Sequence, residues 1–298
     1  MIAERVSSKI VLLGLALQAV IWLGLHLPAL VGGTHHQQDS ELYFFTATSV
    51  AAYALALLLN LEIAMEYRDN TWMRWAWFFL AANAAISILR ELSGLALINW
   101  IWPGYVDGPL WGLHFQIMIT LANSFLVLGL LGMWWAYYQV RLGFRIRRRD
   151  YVEMAVILVL TLALLFLRGG MSEGASPYIA SRLLQPLGLI LLSVAAAVSV
   201  VLYGMAVQMG GGKLAVALRC LTLYTLLRAT LVLVEALFSL TTPQRRQTHD
   251  LIMTLDLLLW RTVPWILALA ASYRVELTVH AKSELARQRA ARNSPIPA

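Results

Sequence analysis

The sequence predicts an all-α polytopic membrane protein: a bundle of eight transmembrane helices with both termini cytoplasmic. Three observations carry that reading. Of 298 residues, 60% are hydrophobic and 13% charged, against roughly a quarter charged in an ordinary soluble domain. Eight apolar stretches approach or exceed the ~20 residues that cross a bilayer as a helix. Basic residues gather on one side once those stretches are threaded alternately. The runs lack the period-two alternation of barrel strands, and backbone groups in lipid must be satisfied within the segment, so the class is a helical bundle.

The expected spans are 9–31, 42–64, 73–97, 113–139, 151–168, 182–208, 214–240 and 250–272, within a membrane domain of residues 1–274. The fifth is the shortest, and without it every later segment would be inverted. With the N-terminus inside, the basic clusters Arg5–Lys9, Arg68–Arg74, Arg141–Arg149, Lys213–Arg219 and Arg274–Arg292 all fall in the cytoplasm. Only Arg90, Arg168, Arg182, Arg245 and Arg246 fall outside, as the positive-inside rule demands. The address this implies is a bacterial cytoplasmic (inner) membrane. The net charge of +7 is mostly this orientation signal and not a nucleic-acid footprint. Arg145, Arg147, Arg148 and Arg149 are expected to meet anionic lipid headgroups. Cys220 is the sole cysteine, so an intrachain disulfide and a cysteine-based metal site are both excluded.

The first run carries Gln18 and His26 and is read as a retained helix, not a signal peptide. The outer loop after it holds His35, His36 and Asp39, whose spacing alone is read as a solvated loop and not a metal site. The second run leaves through Glu62 and Glu66. Trp72, Trp75 and Trp77 then open the third as an aromatic belt at the interface. Arg90 and Glu91 lie near its outer end. The connection from Leu92 to Gly112 is the longest outer one and is expected to lie along the interface.

His114 opens the fourth run, with Asn123 and Ser124 deeper and Trp134, Trp135, Tyr137 and Tyr138 forming a second belt. His26 and His114 are each alone on their helices, so no stacked haem pair is expected, and no cofactor is assigned. The sixth run is rich in Ala and Val and carries Ser193 and Ser199, which suits close packing. Gly210 to Gly212 form a turn before Lys213, without the spacing of a phosphate loop.

Two short echoes suggest a four-plus-four tandem repeat. Ser49-Val-Ala-Ala recurs as Ser193-Val-Ala-Ala, and Met118 to Val140 matches Met253 to Val275. Such a duplication relates the halves by an axis along the membrane normal.

The polar centre is expected at Arg228, Glu235, Asp256 and Arg261, because charges inside hydrocarbon cost a few kcal/mol or more and turn toward partners. Arg228 and Arg261 lie ~16–18 Å below the outer ends of their helices, with Glu235 and Asp256 ~7–9 Å down. Tyr224, Arg228 and Glu235 share one helical face, as do Asp256, Trp260 and Pro264, while Arg261 is placed to stack on Trp265. Pro264 frees the carbonyl of Trp260. The candidate is an outward-facing ligand pocket floored by Arg228 and Arg261, walled by Trp260 and Trp265, with Arg90, Glu91 and His114 at its mouth. The competing reading is a set of buried salt bridges that fix helix register.

No His-Glu-x-x-His motif is present, and Lys9, Lys213 and Lys282 all lie outside the membrane core, so no enzymatic activity is expected. Three function classes remain. One is a sensor or receptor-like module, whose last helix continues into a basic amphipathic tail, 275–298, that meets a cytoplasmic partner. Its architecture resembles the membrane input regions of bacterial sensor kinases. The others are a structural or accessory subunit of a larger membrane complex, with other subunits as partners, and a transporter.

Overall fold

A computed structural model describes residues 7–30, 39–94, 109–139, 146–169, 179–241 and 259–279. Every regular element among them is helical. In chain order these are α1 (Ser8–Leu30), α2 (Asp39–Glu66), α3 (Thr71–Gly94), α4 (Pro109–Gln139), α5 (Arg148–Gly169), α6 (Ile179–Gln208) and α7 (Lys213–Thr241), followed by α8, residues 259–279. Six of them, α1 to α4, α6 and α7, are long and apolar enough to cross a membrane. The chain is therefore a helical bundle with the composition of an integral membrane protein.

Tight turns explain why neighbours run antiparallel. Asn70 accepts the backbone N–H of Met73 at 2.9 Å and caps α3 immediately after α2 ends. Between α6 and α7, Gly210 and Gly212 have φ of 72° and 114°, a region that residues with a side chain rarely enter. α3 packs against α2 and α4, and α6 against α4, α5 and α7. Close approach is built into the α3–α4 pair. A Cβ at Gly132 would sit 3.1 Å from that of Ala76, and one at Gly129 only 3.0 Å from the Leu80 side chain. The expected small-residue packing of the sixth helix is present: Ala195, Ala196 and Ala197 are buried, and Ser193 receives a 2.7 Å hydrogen bond from Thr161 of α5.

α8 is buried nearly all round from Val263 to Ser272, the signature of a helix inside a bundle. α1 lies against it, with Gly14 facing the ring of Trp265. One end of the bundle is knitted by polar ties between elements far apart in sequence. Glu276 of α8 accepts the backbone N–H of Ser8 at 2.5 Å and meets Lys213 at 3.0 Å, and Arg274 donates to the Tyr67 hydroxyl at 3.0 Å. The starts of α1, α3 and α7 and the ends of α2 and α8 therefore share this end, which carries Arg68, Arg74 and Arg219 as well.

The two aromatic belts need correcting. Trp72 and Trp75 are half exposed, but Trp77 is buried. Likewise Trp135 and Tyr138 are exposed, whereas Tyr137 is buried in the core. A helix turns 100° per residue, so Trp77 lies about 140° around from Trp72, on the inward face. Arg147, Arg148 and Arg149 are exposed, with Arg149 bonded to Glu153 at 2.5 Å. Arg145, the His35–His36 loop, the segment 95–108 and the tail from 280 lie outside the described residues.

Candidate functional site

α3 carries the polar interior, because two of its residues anchor two networks. In the deeper one, Arg228 of α7 is 1% exposed. Its guanidinium donates to the Asn123 side-chain oxygen of α4 at 2.9 Å and to the Tyr224 hydroxyl at 2.8 Å. Tyr224 in turn donates to the Asn83 oxygen of α3 at 2.8 Å. The two amides then spend their N–H groups on backbone: Asn83 on the Ala122 carbonyl at 2.7 Å and Asn123 on the Gly188 carbonyl of α6 at 3.0 Å. One chain of bonds thus joins α3, α4, α6 and α7. Among the described residues Arg228 is held by neutral dipoles, and its Nε makes no hydrogen bond.

Nearer the opposite end of α3, Glu91 binds two arginines at once. One carboxylate oxygen accepts from Arg90 at 2.6 Å and the other from Arg261 of α8 at 2.5 Å. These side chains are 8% to 14% exposed, so the cluster is nearly dry and, among the described residues, carries two positive charges against one negative. Arg90 also sits 5.7 Å from the Trp260 ring centroid, a cation–π arrangement that strengthens as water is excluded. Arg261 is braced from α1: its backbone carbonyl accepts the Gln18 amide N–H at 2.8 Å, and the Gln18 oxygen accepts the Trp265 indole N–H at 2.7 Å. The side-chain Nε of Arg261 is buried and unbonded among the described residues. Tyr53 and Tyr224 both lie within electrostatic reach of Arg90, so the two networks adjoin.

Both expected floor residues face inward, but Arg228 and Arg261 belong to different networks. Tyr224 belongs with Arg228; Arg90, Glu91 and Trp260 belong with Arg261. Trp265 binds Gln18, where stacking on Arg261 was expected. Gln18 serves the carbonyl one residue past that of Trp260. His114 lies half-buried in the first turns of α4. The side chain of Glu235 and the whole of Asp256 lie outside the described residues, as does the side chain of His26.

Asn83, Asn123 and Gln18 are the members that charge alone did not single out. Their signal was an amide in an apolar run, which seeks an interhelical partner for the same reason that a charge does. Other buried polar atoms line the same interior: Tyr53 Oη, Ser87 Oγ and both amide atoms of Asn60 have no hydrogen-bond partner among the described residues. Buried groups of this kind are rare enough to mark a place that takes water or a ligand. No grouping of His, Cys, Asp and Glu among the described residues fits a metal ion.

No family model, curated protein or solved structure matches this chain.

Proposed function

We propose that the protein is a sensor or receptor-like membrane module that takes a small anionic or amphipathic ligand at the Arg90–Glu91–Arg261 cluster. One observation carries this reading: a single carboxylate is shared by two guanidiniums in a nearly dry setting. Among the described residues this cluster has surplus positive charge, and an anion that enters it gains charge-assisted, bidentate hydrogen bonds. Trp260, against Arg90, supplies an apolar wall for the rest of the ligand. Binding at Arg261 acts directly on α8, the helix that ends at the Glu276 and Arg274 ties. A displacement there passes toward the basic tail and a cytoplasmic partner.

The finer topology belongs to the same proposal: eight crossings, both termini in the cytoplasm of a bacterial inner membrane, and a four-plus-four repeat. The basic end of the bundle supports that orientation. No catalytic role is assigned.

The Arg228 network favours a second reading for its own part of the molecule. A guanidinium closed off by Asn123 and Tyr224 across four helices suits a register lock of the kind a structural or accessory subunit needs.

The test uses purified protein in mild detergent, with inorganic phosphate and octanoate as probes. Octanoate or phosphate should raise the thermal midpoint of the wild type, and Arg261→Gln should abolish that shift while Arg148→Gln leaves it intact. A wild type indifferent to both probes, co-purifying with stoichiometric partners, would establish the subunit reading instead; counterflow in vesicles would establish transport.

A further inference from the structure

The outward flank of the α3–α4 pair carries a groove of about 580 Å³, lined by Arg74, Trp75, Phe78 and Phe79 of α3 and Phe125 of α4. We propose that it is a binding site for one anionic phospholipid, with the phosphate on Arg74 and an acyl chain lying along the rings.

The stripe arises from helical spacing. Thr71, Trp75, Phe78, Phe79 and Ala82 follow one another at three-, four- and one-residue steps along a single face. The opposite face of α3, Met73, Ala76, Trp77, Leu80 and Ala84, is buried in the core. Trp75 is 53% exposed. Its ring lies 5.8 Å from Phe78 and 5.9 Å from Phe79, and Phe79 stacks across the helix boundary on Phe125 at 6.2 Å. The rings therefore form one continuous wall over two helices, held together where Gly129 and Gly132 let α4 approach.

Length and charge select the occupant. From Thr71 to Ala82 the groove runs ~16 Å along the helix axis, the depth of one leaflet's share of a ~30 Å hydrocarbon core. Arg74 stands at its mouth, at the basic end of the bundle, with its guanidinium 5.6 Å from the Phe78 ring centroid. Among the described residues it enters no ion pair. A guanidinium held over a ring keeps its planar N–H fork for a phosphate. Among the described residues, no carboxylate lines the groove to meet the ammonium of a zwitterionic headgroup. An anionic headgroup is therefore favoured, and the neighbouring cationic surface adds to the attraction.

Native mass spectrometry of the full-length protein, titrated with phosphatidylglycerol or phosphatidylcholine of identical acyl chains, tests this. The wild type should retain one phosphatidylglycerol in preference to phosphatidylcholine. Arg74→Gln should lower phosphatidylglycerol retention about fivefold and leave phosphatidylcholine unchanged, with Arg74→Lys keeping most of the preference. Phe125→Ala, from the other helix, should weaken both lipids. Removing the exposed cluster with Arg148→Gln and Arg149→Gln should leave the tightest lipid in place. Equal retention of the two lipids by the wild type, or unchanged phosphatidylglycerol retention in Arg74→Gln, would overturn the proposal.

Discussion

Replacing Asn123 by Ala, alone and together with Arg228→Met, tests the deeper network quantitatively. Asn123→Ala removes the 2.9 Å bond from Arg228 and the 3.0 Å bond to Gly188, and leaves a 1% exposed guanidinium with one acceptor fewer. A hydrogen bond to a charged group is worth ~1.5–3 kcal/mol in water-soluble proteins. Interhelical bonds in a bilayer average only ~0.6 kcal/mol, at most ~1.7, because the unfolded helices also find partners. The charged bond belongs near the top of the second range and the neutral one near its mean, so the single variant should lose about 2 kcal/mol.

Arg228→Met should cost less. It strips the same bond but also relieves the burial of an ion, a change that is often neutral or better. In the double variant the charged bond is already gone, so Asn123→Ala should add only its ~0.6 kcal/mol share. Unfolding in mixed micelles, followed by tryptophan fluorescence, gives the four free energies. The expected coupling is ~1–2 kcal/mol; effects that add within ~0.3–0.5 kcal/mol would show that Asn123 and Arg228 do not interact, and would refute the network.

Glu91→Gln should be the most damaging change in the upper cluster, by ~3–5 kcal/mol, because it strands Arg90 and Arg261 without their counter-charge. Adding Arg261→Gln to it should recover part of the loss in the same unfolding assay. Gly132→Val should cost ~1–3 kcal/mol by overpacking against Ala76, and should lower the thermal midpoint without changing anion binding. Acid should release the tie at Glu276: burial opposes its ionisation, but the hydrogen bond from Ser8 and the contact with Lys213 prevail and hold its carboxyl below the ordinary 4.5. Since the folded value lies below the unfolded one, this stabilisation is present above 4.5 and fades as pH falls through the folded value. Glu276→Gln should therefore lower the midpoint at neutral pH and flatten that acid limb.

The helices were legible in hydropathy because an apolar run of bilayer length has few other stable forms. Their faces were less so. Trp72 and Trp77 look alike in a window average, yet one meets the exterior and the other the core. Inward orientation of Arg228 and Arg261 followed from the cost of charge in lipid. Their partners did not, since Glu91 and Arg261 are brought together by tertiary packing alone. Asn83 was hidden for a related reason: its role depends on Tyr224 arriving from α7, a contact no local spacing encodes.

Helix α8 emerges from the ribosome last among the described helices, yet it supplies the centre of the bundle. Until it inserts, the amide of Gln18 on α1 must wait in the bilayer without the Arg261 carbonyl and the Trp265 indole. Half-made chains therefore display stranded polar groups to the quality-control machinery, and a nonsense codon upstream of residue 259 should yield a protein that is degraded, not a smaller working bundle.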